Sequence, residues 1–241
     1  MADSVQRNVS RESIRMKRTS KRVLQEPEST RELTALIREA CLIARDSANN
    51  LYEFVQDSSK MAFLAVKDCE KELDRIERTV DEKITQAITE VTENEARELL
   101  ACLKFIIDLE RIGDLLWSAA KRLQSMTTEL NPRDRENVLT MAKIVVEMLS
   151  KIDHGFLHRD LKSAQWVLQN DSRMDLACRS LIRHQIENMD QRHSEAVTNL
   201  LFVGQAFERA GDHAKNLSEE LFHLIEGRSM RHEVKRTRVS G

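Results

Sequence analysis

The sequence predicts an all-α protein made of two tandem three-helix bundles: six long antiparallel helices related by a pseudo-twofold internal repeat. Three observations carry that expectation. Turn-forming residues are scarce, with Gly 6 and Pro 2, and aromatics make up only 4%; strand-rich folds need both in quantity. Apolar residues recur three and four apart along most of the chain, the period of a helix with one buried face. One short pattern occurs twice, as Glu110-Arg111-Ile112-Gly113-Asp114 and Glu208-Arg209-Ala210-Gly211-Asp212, each time on the third helix of a set. A mid-helix glycine costs about 1 kcal/mol relative to alanine, so finding it twice in one local pattern points to a repeated unit with a task.

The elements follow in order. Residues 1–28 are rich in Arg, Lys and Ser and read as a mobile basic tail, as do residues 228–241. Such tails are solvated leaders or electrostatic contacts to anionic lipid or an acidic partner. Residues 29–128 form the first bundle. Ser29 and Glu32 make a capping box ahead of Leu33, Leu36, Ile37, Ala40, Ile43, Ala44, Leu51 and Val55. A break is predicted near Asp57-Ser58-Ser59. The second helix carries Phe63, Val66, Leu73, Ile76, Val80, Ile84 and Val91; Thr92 and Glu95 then cap a third that ends near Thr127. Residues 129–227 form the second bundle. Asn131-Pro132-Arg133-Asp134 combines a good N-cap, a proline suited to the first helical position and an acid suited to the first turn. The fourth helix carries Val138, Met141, Val145, Met148, Leu149 and Ile152 and is predicted to stop at His154-Gly155. The fifth spans about Asp160 to Asn188 and the sixth about Asp190 to Glu226, closed by Gly227.

Composition excludes several classes of function. A net charge of −2 is not that of a nucleic-acid-binding polycation. No apolar run reaches the ~20 residues of a spanning helix, and the basic N-terminus has no apolar core behind it to make a signal peptide. Cys41, Cys69, Cys102 and Cys178 are scattered, which suits buried hydrophobes in a reducing compartment rather than disulfides or a zinc ribbon. A cytoplasmic protein is expected. There is no P-loop, HExxH or nucleophilic triad pattern. Neither acidic motif carries the Glu-x-x-His pairs that di-iron carboxylate enzymes place on two helices. No enzyme activity is expected.

The acids sit in unusual places. Residues seven apart share a column on a helix. Glu110 falls between Leu103 and Trp117, and Asp114 continues the column of Leu100 and Ile107. Glu70 and Glu77 interrupt the second helix's apolar column, Asp175 interrupts the fifth helix's, and Glu208 follows Leu201. Asp74, Asp171 and Asp212 lie at the stripe's edge. Each half thus offers acids on its second and third helices: Glu70, Asp74, Glu77, Glu110 and Asp114, then Asp171, Asp175, Glu208 and Asp212. Converging buried carboxylates repel and would neutralise. The spacing leaves three outcomes open. The acids hold a cation, for which all-oxygen ligands suit magnesium, manganese, calcium or iron; they are compensated by Arg and Lys across helices; or they line a solvated groove. His213, next to Asp212, reads as a surface or capping residue.

Glu-Arg-Ala-Gly-Asp-His-Ala-Lys-Asn-Leu-Ser-Glu (208–219) closely resembles the signature of the PhoU family, and Asp108-Leu-Glu-Arg-Ile-Gly-Asp114 matches the same E/D-x-x-x-D pattern. Glu70 to Glu77, with Leu73, Asp74 and Ile76, resembles the acidic segment on that family's second helix, and Asp171, Met174 and Asp175 its counterpart. The resemblance spans about residues 30–230. It implies two tandem three-helix bundles that bind metal ions or clusters through these acids, with iron, zinc, manganese or magnesium as candidates. It further implies a negative regulator of phosphate uptake and of the Pho regulon. Such a protein couples the ATPase subunit of the phosphate ABC transporter (PstB-like) to a sensor histidine kinase (PhoR-like), reaches the membrane peripherally through these partners, and is expected to be a homodimer. The copies differ after the aspartate: Leu115 and Ser118, with Trp117 between them, in the first, against His213 and Asn216 in the second. Both sites are expected to bind metal, the second being closer to the family pattern. The alternative is a helical scaffold whose acids are salt-bridged and hold no metal.

Overall fold

A computed structural model describes residues 28–89, 91–127, 129–188 and 194–227. The expectations for the two basic tails fall on residues 1–27 and 228–241, outside the described residues. Six helices follow one another: α1 (Glu28–Asp57), α2 (Lys60–Ala87), α3 (Glu93–Ser125), α4 (Pro132–His158), α5 (Leu161–Glu187) and α6 (Ser194–Glu226). The first three form one bundle and the last three another, as the repeat requires.

Local chemistry sets most boundaries. Ser58 takes the left-handed conformation (φ 54°) and turns the chain. Ser59 then caps α2, its hydroxyl accepting from the Ala62 amide at 3.2 Å. The Glu95 carboxylate accepts from the Thr92 amide at 2.6 Å, closing the box that starts α3. Asn131 Oδ1 accepts from the Asp134 amide at 2.9 Å, with Pro132 in the first turn. Asp160 caps α5 by accepting from the amides of Lys162 and Ser163. Gly227, at φ 69°, closes α6.

Three boundaries differ from expectation. Ser29 already lies inside α1. Helix α2 ends at Ala87 rather than near Val91, which packs on the core from the following turn. Helix α4 does not stop at Gly155; it runs to His158, and the left-handed residue beyond it is Arg159 (φ 51°). Gly155 serves packing instead. A Cβ there would lie 2.5 Å from Leu221 Cδ2, so α6 crosses α4 where only glycine leaves room.

The buried side chains of both bundles form one continuous core, from Leu33 and Ile37 in α1 to Leu221 and Phe222 in α6. Helices α3 and α6 run antiparallel along each other, with the Lys104 ammonium 2.9 Å from Glu220 near one end and the Arg122 guanidinium stacked on Phe202 near the other. Phe105 of α3 meets Phe156 of α4 at 4.8 Å between ring centroids.

One anchor is polar. Asp134 is the first-turn acid of α4 that the sequence predicts, and it is also buried, at 1% exposure. It is a hub: its Oδ1 lies 2.7 Å from His184 Nδ1 and accepts from Gln185 Nε2 at 2.7 Å, tying the start of α4 to the end of α5. Removing one member of such a network strands its partners. Asp134→Ala is therefore expected to cost about 3 kcal/mol in urea unfolding, far more than Asp→Ala at exposed Asp68.

Candidate metal centre

The glycine of the repeated motif is what brings the acids together. In α3, a Cβ on Gly113 would lie 2.5 Å from Cδ1 of Leu73, a fully buried side chain of α2. In α6, a Cβ on Gly211 would lie 3.1 Å from Cγ of Met174 on α5. Asp74 directly follows Leu73 and Asp114 directly follows Gly113, so the closest approach of the two helices sets their acids face to face. The second half repeats the arrangement with Met174-Asp175 and Gly211-Asp212.

In the first half three carboxylates converge. Asp74, Glu110 and Asp114 each offer an oxygen, and these oxygens all lie within 4.8 Å of one another. Glu110 is buried, the other two half-buried. Glu110 Oε2 is shut off from solvent and accepts no hydrogen bond. Its nearest cation, Arg111 Nε, stands 3.3 Å away but is not aligned to donate. That guanidinium is half-exposed and turns instead to Asp114, 3.2 Å from Oδ2. Glu70 and Glu77 flank the cluster, both half-buried.

The electrostatics record the crowding. Burial first, then the neighbouring Asp114 charge, push the Glu110 carboxyl up to about 7, against the relief given by Arg111. Burial and then Asp74 raise Glu70, and burial and then Asp81 raise Glu77. A buried acceptor without a donor, beside carboxylates whose charges raise Glu110 and Glu70, is a site short of positive charge. Oxygen donors of this kind fit a hard cation such as magnesium, manganese or ferric iron, and a monodentate set also admits zinc.

The second half carries four acids at equivalent positions but disposes of them differently. Asp171 is taken by Lys215 Nζ at 2.7 Å, a hydrogen bond that in turn raises the lysine's pKa. Asp175 pairs with Arg179 at 3.3 Å. Glu208 and Asp212 are exposed; Glu208 is not core-facing as its column suggested, and Asp212, expected at the stripe's edge, lies outside it. Among the described residues, only the first half gathers three metal-type ligands this closely. The difference is readable after the fact. Lys215 stands where the first copy has Trp117, so one half received a cation and the other an indole. Cys178, which occupies the position of Glu77, is buried; desolvation and then the Glu208 charge push its thiol up to about 12, so it stays protonated.

His213 is neither a surface residue nor a cap. It is half-buried, with Nδ1 2.7 Å from Asp108 Oδ1, and ties α6 to α3. A single Glu-x-x-His does occur outside the motifs, at Glu220 and His223, but Glu220 is spent on Lys104.

Fold and site together define a class: a tandem-repeat protein of two three-helix bundles that presents acids from the second and third helix of each. Comparison with known proteins agrees. The PhoU domain family model matches residues 37–123 and 138–221, and the chain belongs to the PhoU family. The "Phosphate-specific transport system accessory protein PhoU homolog" of Pseudomonas aeruginosa is 28% identical over 172 residues, 69% of this chain and 71% of the relative. The homologue of the same description from Rhizobium meliloti is 30% identical over 160 residues, 64% of this chain and 68% of the relative. The crystal structure of PhoU from Pseudomonas aeruginosa superposes with a TM-score of 0.78 at 23% identity, covering 85% of this chain and all of that one, which shows the shared fold.

The raised Glu110 carboxyl makes a signed prediction. In the metal-free protein the folded state keeps a proton that the unfolded chain releases near its ordinary 4.5. The contribution of Glu110 to stability is therefore fullest below pH 4.5 and is lost as pH rises through about 7. Glu110→Gln should flatten this part of the profile, raising the metal-free melting temperature more at pH 8 than at pH 5. Thermal melts of the two proteins in chelator across that range measure it.

Proposed function

We propose that this chain is a metal-loaded regulatory protein of phosphate homeostasis, accessory to a phosphate-specific transporter and without catalytic activity of its own. Support for the phosphate role comes from family membership and from the relatives' descriptions as accessory proteins of the phosphate-specific transport system. The observation that carries the metal part is the buried, donorless Oε2 of Glu110 between Asp74 and Asp114.

Asp74, Glu110 and Asp114 would hold the ion, with Glu70 and Glu77 at its rim. A bound cation supplies the positive charge these acids lack and clamps α2 to α3. This chain's own residues do the rest. Arg111 screens Asp114 from the solvent side, Gly113 allows the helices to close, and Asp108 with His213 passes the position of α3 to α6. No described helix is long and apolar enough to cross a membrane, which accords with a cytoplasmic protein that reaches the membrane through its partners. Those partners are the transporter's ATPase subunit and the sensor histidine kinase, which the protein holds in its phosphatase mode when phosphate is plentiful. It acts as a homodimer.

A scaffold reading without metal has its own support in the second half, where Lys215 and Arg179 already compensate Asp171 and Asp175. One set of proteins separates the two readings. Elemental analysis after mild purification should find iron, zinc or manganese in the wild type and in Asp175→Asn/Asp212→Asn. Glu110→Gln/Asp114→Asn should lose most of it. Equal metal in all three, or none in any with no melting shift on added ions, sinks the metal centre. The regulatory part has a separate readout: deletion should raise alkaline phosphatase in phosphate-rich medium, and unchanged levels would sink negative regulation.

A further inference from the structure

We propose that His154 and His158 form a second metal site, distinct in chemistry from the acid cluster, that takes a borderline divalent ion such as nickel, copper or zinc. The two histidines are four residues apart on the last turns of α4, hence on one face. Their rings lie 4.6 Å apart between centroids, inclined at 49°. Both are exposed, and the His158 imidazole can turn towards an ion held at His154 without disturbing the core.

The hydrogen bonds around His154 prepare it as a ligand. Ser163 Oγ lies 2.8 Å from Asp160 Oδ2 and 3.2 Å from His154 Nδ1. The hydroxyl has one proton, and the closer, charged carboxylate takes it. Oγ therefore accepts from His154 Nδ1–H, which leaves the Nε2 lone pair of the neutral ring free for an ion. A ligating histidine held through its other nitrogen by a hydroxyl and a carboxylate is the usual outer-shell pattern. Asp160 also lies 3.6 Å from the same Nδ1 and adds negative charge beside the ring. Its carboxylate is otherwise engaged, accepting from the Lys162 and Ser163 amides as the cap of α5. It therefore steadies the site rather than joining the ligands.

The surroundings favour a cation. The pair sits at the negative end of the α4 dipole. Arg159, the nearest guanidinium in sequence, is held away by Glu98 at 2.7 Å and stacks on Phe156. Two imidazoles with water completing the shell select nickel, copper and zinc over magnesium or calcium. The histidine pair would thus favour borderline ions, whereas the acids also take hard ones.

The test uses the full chain carrying Glu110→Gln and Asp114→Asn, so that the acid cluster does not contribute. Nickel(II) is titrated by calorimetry at pH 7.5 and pH 5.5, with circular dichroism showing that each protein is folded. One nickel site is expected at pH 7.5 and little binding at pH 5.5, because protons compete with the ion for imidazole nitrogen. His154→Ala and His158→Ala should each weaken the pH 7.5 site at least tenfold, and Ser163→Ala by a smaller factor. If either histidine variant binds within twofold of its parent, or the parent binds no nickel at pH 7.5, the proposal is wrong. Because the acid cluster is removed throughout, this result is independent of the centre proposed above.

Discussion

The close approach of α2 to α3 at Gly113 governs the first acid cluster. Leu73 is fully buried and fills the space a Cβ would need. At that separation the residues next in sequence, Asp74 and Asp114, come together, and Glu110 lies one turn before Asp114 on the same face. A glycine that weakens the isolated helix is thus kept for what it allows between helices. The electrostatic cost appears in the raised Glu110 carboxyl, and the geometry offers a cation as the way to remove it.

The same contact in the second half gives a different result, through charge rather than backbone. Gly211 and Met174 repeat the approach, but Lys215 reaches Asp171 and Arg179 reaches Asp175. Duplication preserved the frame, and a few substitutions on its surface decided how each copy neutralises its acids. The halves are not isolated from each other. Asp108 stands two residues before Glu110, His213 directly after Asp212, and the 2.7 Å contact between them joins the two motifs across the α3–α6 seam. With Phe105 on Phe156 and one core running through both bundles, the two halves pack as one unit.

Much of the fold was legible because its signals are local. Apolar periodicity reports which face of a helix is buried, and the boxes at Thr92–Glu95 and Asn131–Asp134 act within one turn. The glycines misled where their reason was tertiary. Gly155 reads as a helix stop because glycine is the common left-handed cap, yet the reason for it is Leu221, far along the chain. With α4 extended by a turn, His154 and His158 come onto one helical face, which a helix ending at Gly155 would have hidden. Among the acids, the column positions correctly placed Glu110 inside. They misplaced Glu208, because a column on one helix says nothing about how far the neighbouring helices cover it.

The sequence by itself determined the helical class, the duplication, the positions of most caps, and which residue types each half would bring to its second and third helices. These follow from spacing and backbone hydrogen-bond chemistry within a few residues. Only the tertiary structure decided which acids meet, which are neutralised by a lysine or arginine, and that Asp134 and His213 each join one helix to another. Those outcomes depend on distances between helices, and Coulomb energies and desolvation change steeply over the few ångströms that packing alone sets.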